Sequence, residues 1–227
     1  MPLLALFDVD GTLLLSDDPV AGEAFVAALR DCYPVDPPPD AVARTDHAGQ
    51  TAQRIARLVL RNEGLADALI GEHLGAWCAR FGERYAELLA EADTSRWHGA
   101  PGAAEALLRI EQGGIRLALL TGNPEPMARA RMERLGLAAF FPEGQGAFGC
   151  EAEERVELLA IARKRAGDWP AEQTVEIGDT PRDVESAHAA GIRSIAVRSP
   201  RSREFPGADA VCDDLGAVSG RLLAWNR

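Results

Sequence analysis

Two carboxylates, Asp8 and Asp10, stand two residues apart where the apolar run Leu3 to Phe7 ends in Phe7-Asp8-Val9-Asp10-Gly11-Thr12. In an extended chain residues i and i+2 face the same side, so both acids are expected to point at one spot. Two close like charges are costly unless a cation sits between them or one takes a proton. Either outcome suits phosphoryl transfer, in which one carboxylate attacks phosphorus while its neighbour gives and takes protons. The plainer alternative for the same six residues is an Asp-Gly turn with both acids in water.

Two further segments bear on that choice. Thr121-Gly122-Asn123 closes a second apolar run and is followed by Pro124 and a helical pattern. A hydroxyl and free backbone N–H groups at such a turn make an anion cradle, with glycine permitting close approach, or else a simple helix cap. Gly178-Asp179-Thr180-Pro181-Arg182-Asp183 closes another run. Asp179 there is placed to ligate Mg²⁺, a hard ion that takes oxygen donors. Asp183 is also the third residue of a predicted helix capped by Thr180, and capping and metal support can coexist.

These segments need a scaffold that brings them together. Leu3 to Phe7, Arg116 to Leu120, Thr174 to Ile177 and Ser194 to Val197 read as buried strands, with Ala210 to Cys212 as an edge. Helical patterns alternate with them at Ala103 to Gln112, Glu125 to Leu135, Arg155 to Ala166 and Pro181 to Ala190. Such alternation predicts an α/β fold with a doubly wound parallel sheet, whose ligands bind at the carboxyl ends of the strands. From about Pro19 to Ala92 there is no convincing strand, and Leu74, Trp77, Phe81, Tyr85 and Leu88 keep a helical spacing. An inserted all-helical cap is therefore predicted, with 17–92 as the cap and 1–16 plus 93–227 as the core. Trp77, Phe81 and Tyr85 read as its hydrophobic interior.

The three motifs together resemble those of the haloacid dehalogenase-like phosphatases, within the group that includes phosphoglycolate phosphatase. Nearly the whole chain is covered, since the helical insertion is similar to that group's small cap. The resemblance implies Mg²⁺ held by Asp8, by Asp10 through its backbone carbonyl, and by Asp179 and Asp183. It implies Asp8 as nucleophile, Asp10 as general acid and base, and Val9, Gly122 and Asn123 around the phosphoryl group. Where the family usually carries a lysine, this chain has Arg155 in Glu154-Arg155-Val156-Glu157, and with Thr121 it would neutralise phosphoryl oxygens. The single lysine, Lys164, falls further along the same helix and reads as a surface residue. Dehalogenases of this fold lack the second acid, and phosphonate hydrolases use a cap lysine that is absent here. A sugar-phosphate mutase and a non-catalytic binder of phosphorylated ligands remain as alternatives. Specificity is expected from Thr45-Asp46-His47-Ala48-Gly49-Gln50-Thr51, with His47 and Gln50 as candidate substrate contacts.

Composition narrows the setting. With 47% hydrophobic and 26% charged residues the chain has the make-up of a globular protein. A net charge of −11 without a basic stripe argues against nucleic-acid partners; the small phosphorylated metabolite that the resemblance implies would need its charge met locally. No run approaches the ~20 apolar residues of a membrane span, and no signal peptide is evident, so a cytoplasmic location is expected. Cys32, Cys78, Cys150 and Cys212 are far apart and form no C-x-x-C pair, and reduced thiols are expected. Oligomeric state leaves no mark on the sequence.

Overall fold

The first apolar run becomes β1 (Leu4–Phe7), the centre of the fold in a computed structural model that describes residues 2–200 and 202–227. Its side chains alternate between two hydrophobic layers, Ala5 and Phe7 packing into one and Leu4 and Leu6 into the other. A strand buried on both faces is what a parallel sheet between two helical layers requires.

After β1 the chain leaves the sheet for three helices, α1 (Ala21–Cys32), α2 (Ala52–Asn62) and α3 (Asp67–Glu91). They enclose an interior of their own in which Phe25, Leu29, Leu60, Ile70, Trp77 and Phe81 are buried together. Trp77 stacks on Phe81 at 5.3 Å and Phe25 meets Trp77 edge-on at 4.9 Å. The aromatic stripe predicted as lobe interior is therefore that, with Leu88 only partly buried. The chain then alternates through α4 (Ala103–Gln112), β2 (Arg116–Thr121), α5 (Glu125–Arg134), β3 (Ala147–Phe148), α6 (Arg155–Arg165), β4 (Thr174–Gly178), α7 (Pro181–Ala189), β5 (Arg193–Val197), β6 (Ala210–Cys212) and α8 (Leu215–Trp225).

The strands form one six-stranded sheet in the order β3-β2-β1-β4-β5-β6, and every neighbouring pair is parallel. Chain order reverses between β1 and β4, which is where doubly wound sheets open a ligand crevice at their carboxyl ends. Phe7 pairs in register with Leu119 on one side and Ile177 on the other. Asp8, Thr121 and Asp179 consequently leave the sheet along one edge. The two-residue β3 and the helix α8 were not among the predicted elements. Two residues carry too little periodicity to mark a strand, and α8 is interrupted by Gly216 and Gly220.

The expectation of four reduced thiols is corrected. Cys78 of α3 and Cys150, just past β3, form a disulfide across 72 residues with their Cα atoms 5.8 Å apart, while Cys32 and Cys212 are free. A pair so distant in sequence has no spacing signature, and only tertiary packing brings it together. Among the described residues no helix is long and apolar enough to cross a membrane. Closing a loop of this length is worth roughly 2–4 kcal/mol through the unfolded state. Dithiothreitol should therefore lower the melting temperature of the wild type and leave that of Cys78→Ser in place. A wild type indifferent to the reductant would mean that the thiols are unpaired in solution.

Candidate active site

Asp8 is the first residue beyond β1, and its N–H still donates to the Ile177 carbonyl at 2.9 Å, so the sheet fixes its backbone. Oxygens of Asp8, Asp179 and Asp183, all buried, lie within 4.8 Å of one another. Gly11 makes this convergence possible: its φ is +82°, and a Cβ there would stand 2.1 Å from Asp179 Oδ2. Ser199 Oγ donates to the same Asp179 oxygen at 2.7 Å. In the first turn of α7, Asp183 Oδ2 accepts from the Thr180 N–H at 2.8 Å and the Thr180 hydroxyl at 2.7 Å. Its other oxygen meets Arg155 Nη2 at 2.5 Å, so capping and membership of the acid cluster do coexist.

Arg155 opens α6 and points under the sheet edge. Its Nε donates to Glu176 Oε1 at 2.9 Å, and its Nη2 lies 3.7 Å from Asp8 Oδ1. Glu176 was not singled out in the sequence, although a lone acid within an otherwise apolar strand is a signal. It sits on the β4 face covered by α6 and α7, where Ser186 Oγ also donates to it at 3.0 Å. Lys164, further along α6, is exposed as expected.

Three buried carboxylates, Asp8, Glu176 and Asp183, thus share one guanidinium, and Asp179 lies beside two of them. Burial pushes the Asp8 carboxyl well above its usual range, opposed by Arg155 and reinforced by Asp183, Asp10 and Asp179. Burial also drives Glu176 up to about 8 against the pull of Arg155. For Arg155 burial works against the charged form, yet Asp183, Asp8 and Glu176 outweigh it and hold the guanidinium protonated. A cluster of hard oxygen donors short of positive charge suits a divalent cation such as Mg²⁺.

Asp10 lines the same cavity as Asp8, but its carboxylate is not one of the three that converge. The strand ends at Phe7, so the alternation that would have turned Asp8 and Asp10 the same way does not extend to residue 10. The Asp10 carboxylate lies outside the acid cluster and accepts from Arg131 Nη1 at 3.1 and 2.9 Å and from Asn123 Nδ2 at 2.5 Å. Asn123 Nδ2 also donates to Thr121 Oγ1 at 2.9 Å, and Thr121 is fully buried at the end of β2. Val9 is buried and its carbonyl accepts from the Leu13 and Leu14 N–H groups, so its side chain takes no part. Gly122 is needed for a close approach, but by the helical lobe: a Cβ there would lie 2.0 Å from the Gln50 carbonyl oxygen. The Gly122 carbonyl accepts the Ala52 N–H at 2.8 Å.

Above these residues is a cavity of about 700 Å³, the size of a small-ligand pocket, lined among others by Asp8, Asp10, Asn123, Arg155, His47 and Gln50. The loop holding His47 and Gln50 is pinned to the core by Arg182, whose Nη1 donates to the Ala48 carbonyl at 2.5 Å and which also pairs with Asp46. His47 is exposed, with Nδ1 3.1 Å from the Thr45 carbonyl.

The haloacid dehalogenase-like hydrolase family matches residues 3–191 of the chain. Phosphoglycolate phosphatase of Rhodospirillum rubrum is 32% identical, the alignment covering 98% of this chain and 91% of the relative. Phosphoglycolate phosphatase of Vibrio cholerae is 28% identical over 95% of this chain and 94% of its own length. The chain belongs to the haloacid dehalogenase-like hydrolases. Agreement with these relatives and the acid cluster make it a phosphatase, acting on phosphoric monoesters. The fold matches CbbY from Rhodobacter sphaeroides, solved in complex with phosphate, with a TM-score of 0.68 at 24% identity over 96% of both chains.

Two consequences of this phosphatase's buried charges can be measured. Arg155→Met leaves Glu176 and Asp183 without their guanidinium and should cost about 3–5 kcal/mol in urea unfolding, whereas Arg155→Lys keeps a charge and should lose less. Equal stability of the methionine variant and wild type would mean that the acids are neutral or solvated. Glu176 has its folded-state pKa raised from 4.5 to about 8, so it favours folding below 4.5 and that advantage fades as pH climbs to 8. In EDTA the wild type should accordingly lose stability relative to Glu176→Gln between pH 5 and pH 8. A flat difference across that window would contradict the burial of a protonatable glutamate.

Proposed function

We propose that this phosphatase hydrolyses a small phosphate monoester of the phosphoglycolate or sugar-phosphate type, with Mg²⁺ as cofactor and Asp8 as nucleophile. The convergence of the Asp8, Asp179 and Asp183 carboxylates within 4.8 Å, with Arg155 beside Asp8, carries this assignment. The R. rubrum and V. cholerae relatives, both named as phosphoglycolate phosphatases, support the substrate class.

Asp8, Asp179 and Asp183 would hold Mg²⁺ by their carboxylates and Asp10 by its backbone carbonyl. The ion would supply positive charge to the phosphoryl oxygens and keep Asp8 ionised despite its burial. Arg155 and the Thr121 hydroxyl would neutralise the charge that spreads over the equatorial oxygens in the transition state. N–H groups at Val9, Gly122 and Asn123 would complete the cradle.

In the first half-reaction an Asp8 oxygen bonds to phosphorus as the bond from phosphorus to the ester oxygen breaks, and Asp10 delivers its proton to the departing alkoxide. In the second, a water oxygen bonds to phosphorus, the bond to Asp8 breaks, and Asp10 recovers a proton from that water. Alcohol and inorganic phosphate leave, and the enzyme is restored. Residues 17–92 serve as the cap over the reaction, with His47 and Gln50 facing the leaving group.

A panel of phosphate monoesters assayed with Mg²⁺ and with EDTA tests this assignment. Activity should require Mg²⁺ and fall about 10³-fold or more in Asp8→Asn. Asp179→Asn should raise the Mg²⁺ concentration for half-activity at least about tenfold. Phosphate release that survives Asp8→Asn would transfer the chemistry to another residue. Turnover that needs a sugar bisphosphate activator would point to a mutase.

A further inference from the structure

Arg131 is a charged residue on the buried face of a helix. On α5 it follows Met127 by four residues, and the two lie with Ala128 and Met132 on the buried face of the helix. Its side chain is only 3% exposed. Burying a guanidinium is costly even when it is paired, and an apolar residue of similar volume would pack there without that cost. The retained charge therefore calls for an explanation in the contacts that it makes.

Those contacts join three segments. Nη1 donates to both oxygens of Asp10 at 3.1 and 2.9 Å, while Nε and Nη2 converge on Asp18 Oδ2 at 3.0 and 2.7 Å. Asp18, whose side chain is 4% exposed, lies between β1 and α1, and the same oxygen accepts the Tyr85 hydroxyl of α3 at 2.7 Å. The Tyr85 ring also faces the guanidinium at 5.9 Å. Burial pushes the Tyr85 phenol up, so it keeps its proton to donate. Because Asp18 already balances the charge of Arg131, the fork can orient Asp10 without Asp10 being its only counter-ion. Asn123 Nδ2 holds the same carboxylate from the β2 side at 2.5 Å.

We infer that Arg131 is a positioning residue, which with Asp18 and Tyr85 braces the Asp10 carboxylate at the place from which it serves the leaving group. This inference rests on the proposed role of Asp10 as general acid. A proton donor must lie within about 2.6–3.2 Å of the oxygen that it serves. Displacement by about 1 Å can cost on the order of 10²-fold in rate. The brace also depends on the helical lobe, since Tyr85 reaches Asp18 only while α3 is docked.

Leaving-group dependence tests the brace, because an alkoxide must be protonated on departure and p-nitrophenolate need not be. With 2-phosphoglycolate and p-nitrophenyl phosphate as probes, kcat/KM reports the steps up to phosphoryl transfer. Asp10→Asn should lose about 10²–10⁴-fold on the alkyl ester and less than about tenfold on the aryl ester. Arg131→Met should show the same asymmetry, with about a 10²-fold loss on the alkyl ester. Arg131→Lys, which keeps the charge without the fork, should recover part of that loss. Asp18→Asn should give a smaller loss, about tenfold, with the same preference for the aryl ester.

Equal losses on both esters in Arg131→Met, with no recovery in Arg131→Lys, would make Arg131 merely structural and overturn the inference. If Arg131→Met does not fold, as judged by circular dichroism, Asp18→Asn decides, and a loss there without ester dependence overturns the inference equally. Should Asp10→Asn itself show no ester dependence while Asp8→Asn remains inactive, the general-acid assignment falls and the brace with it. Asymmetry in Asp10→Asn without asymmetry in the Arg131 and Asp18 variants removes the brace alone.

Discussion

Carboxylates of Asp8, Glu176 and Asp183, each at most 5% exposed, surround the guanidinium of Arg155, itself 8% exposed, and the buried Asp179 converges on two of them. Water cannot dissipate their repulsion, so the surroundings must. Protonation relieves part of it, as the raised Asp8 and Glu176 carboxyls attest. A divalent cation would relieve more, and would return Asp8 to the ionised form that a nucleophile needs. The same charge shortage that destabilises the site would give it affinity for a metal and for an anionic phosphoryl group brought in with it.

That concentration of charge is tolerable because the backbone holds it in place. Asp8 is still paired to β4 through its N–H, and Asp183 is tied to Thr180 at the start of α7, so neither side chain can swing away to water. Gly11 clears the space into which Asp179 projects. A parallel sheet whose chain order reverses between β1 and β4 brings these ends side by side, and loop positions alone would not hold them so closely.

Much of this architecture was legible before any coordinates. Strands buried on two faces read as uninterrupted apolar runs, the motifs at their ends named Asp8, Asp10, Thr121, Asp179 and Asp183 as a group, and the family resemblance added Arg155. What escaped were contacts that depend on packing between distant segments. Arg131 stands on the buried face of α5, where charge blurs the pattern of an amphipathic helix. The bond between Cys78 and Cys150 and the pairing of Asp18 with Arg131 span long stretches of chain. The partners of Asp10, Arg131 and Asn123, were equally out of sight, because it stands three residues past the end of the strand.

The lobe shows how such a site can keep its chemistry while its substrate range varies. Its attachment near the acids combines main-chain bonds, Ala52 N–H to the Gly122 carbonyl and Gln53 N–H to the Gly149 carbonyl, with the side chains of Thr51 and Gln53, which donate to the Glu153 and Cys150 carbonyls. Gly122, which in sequence suggested room for an anion, is glycine because the Gln50 carbonyl passes where a side chain would be. Main-chain contacts and the side chains of Asp46, Thr51 and Gln53 fix the position of this segment, and none of these bonds uses the side chain of Gln50 or His47's ring beyond its own loop. His47 and Gln50 are therefore free to differ in chemistry without unseating the loop that carries them over Asp8. If His47 and Gln50 meet the ester's non-transferred part, its recognition would be separated in this way from the acids below, whose burial leaves no such freedom.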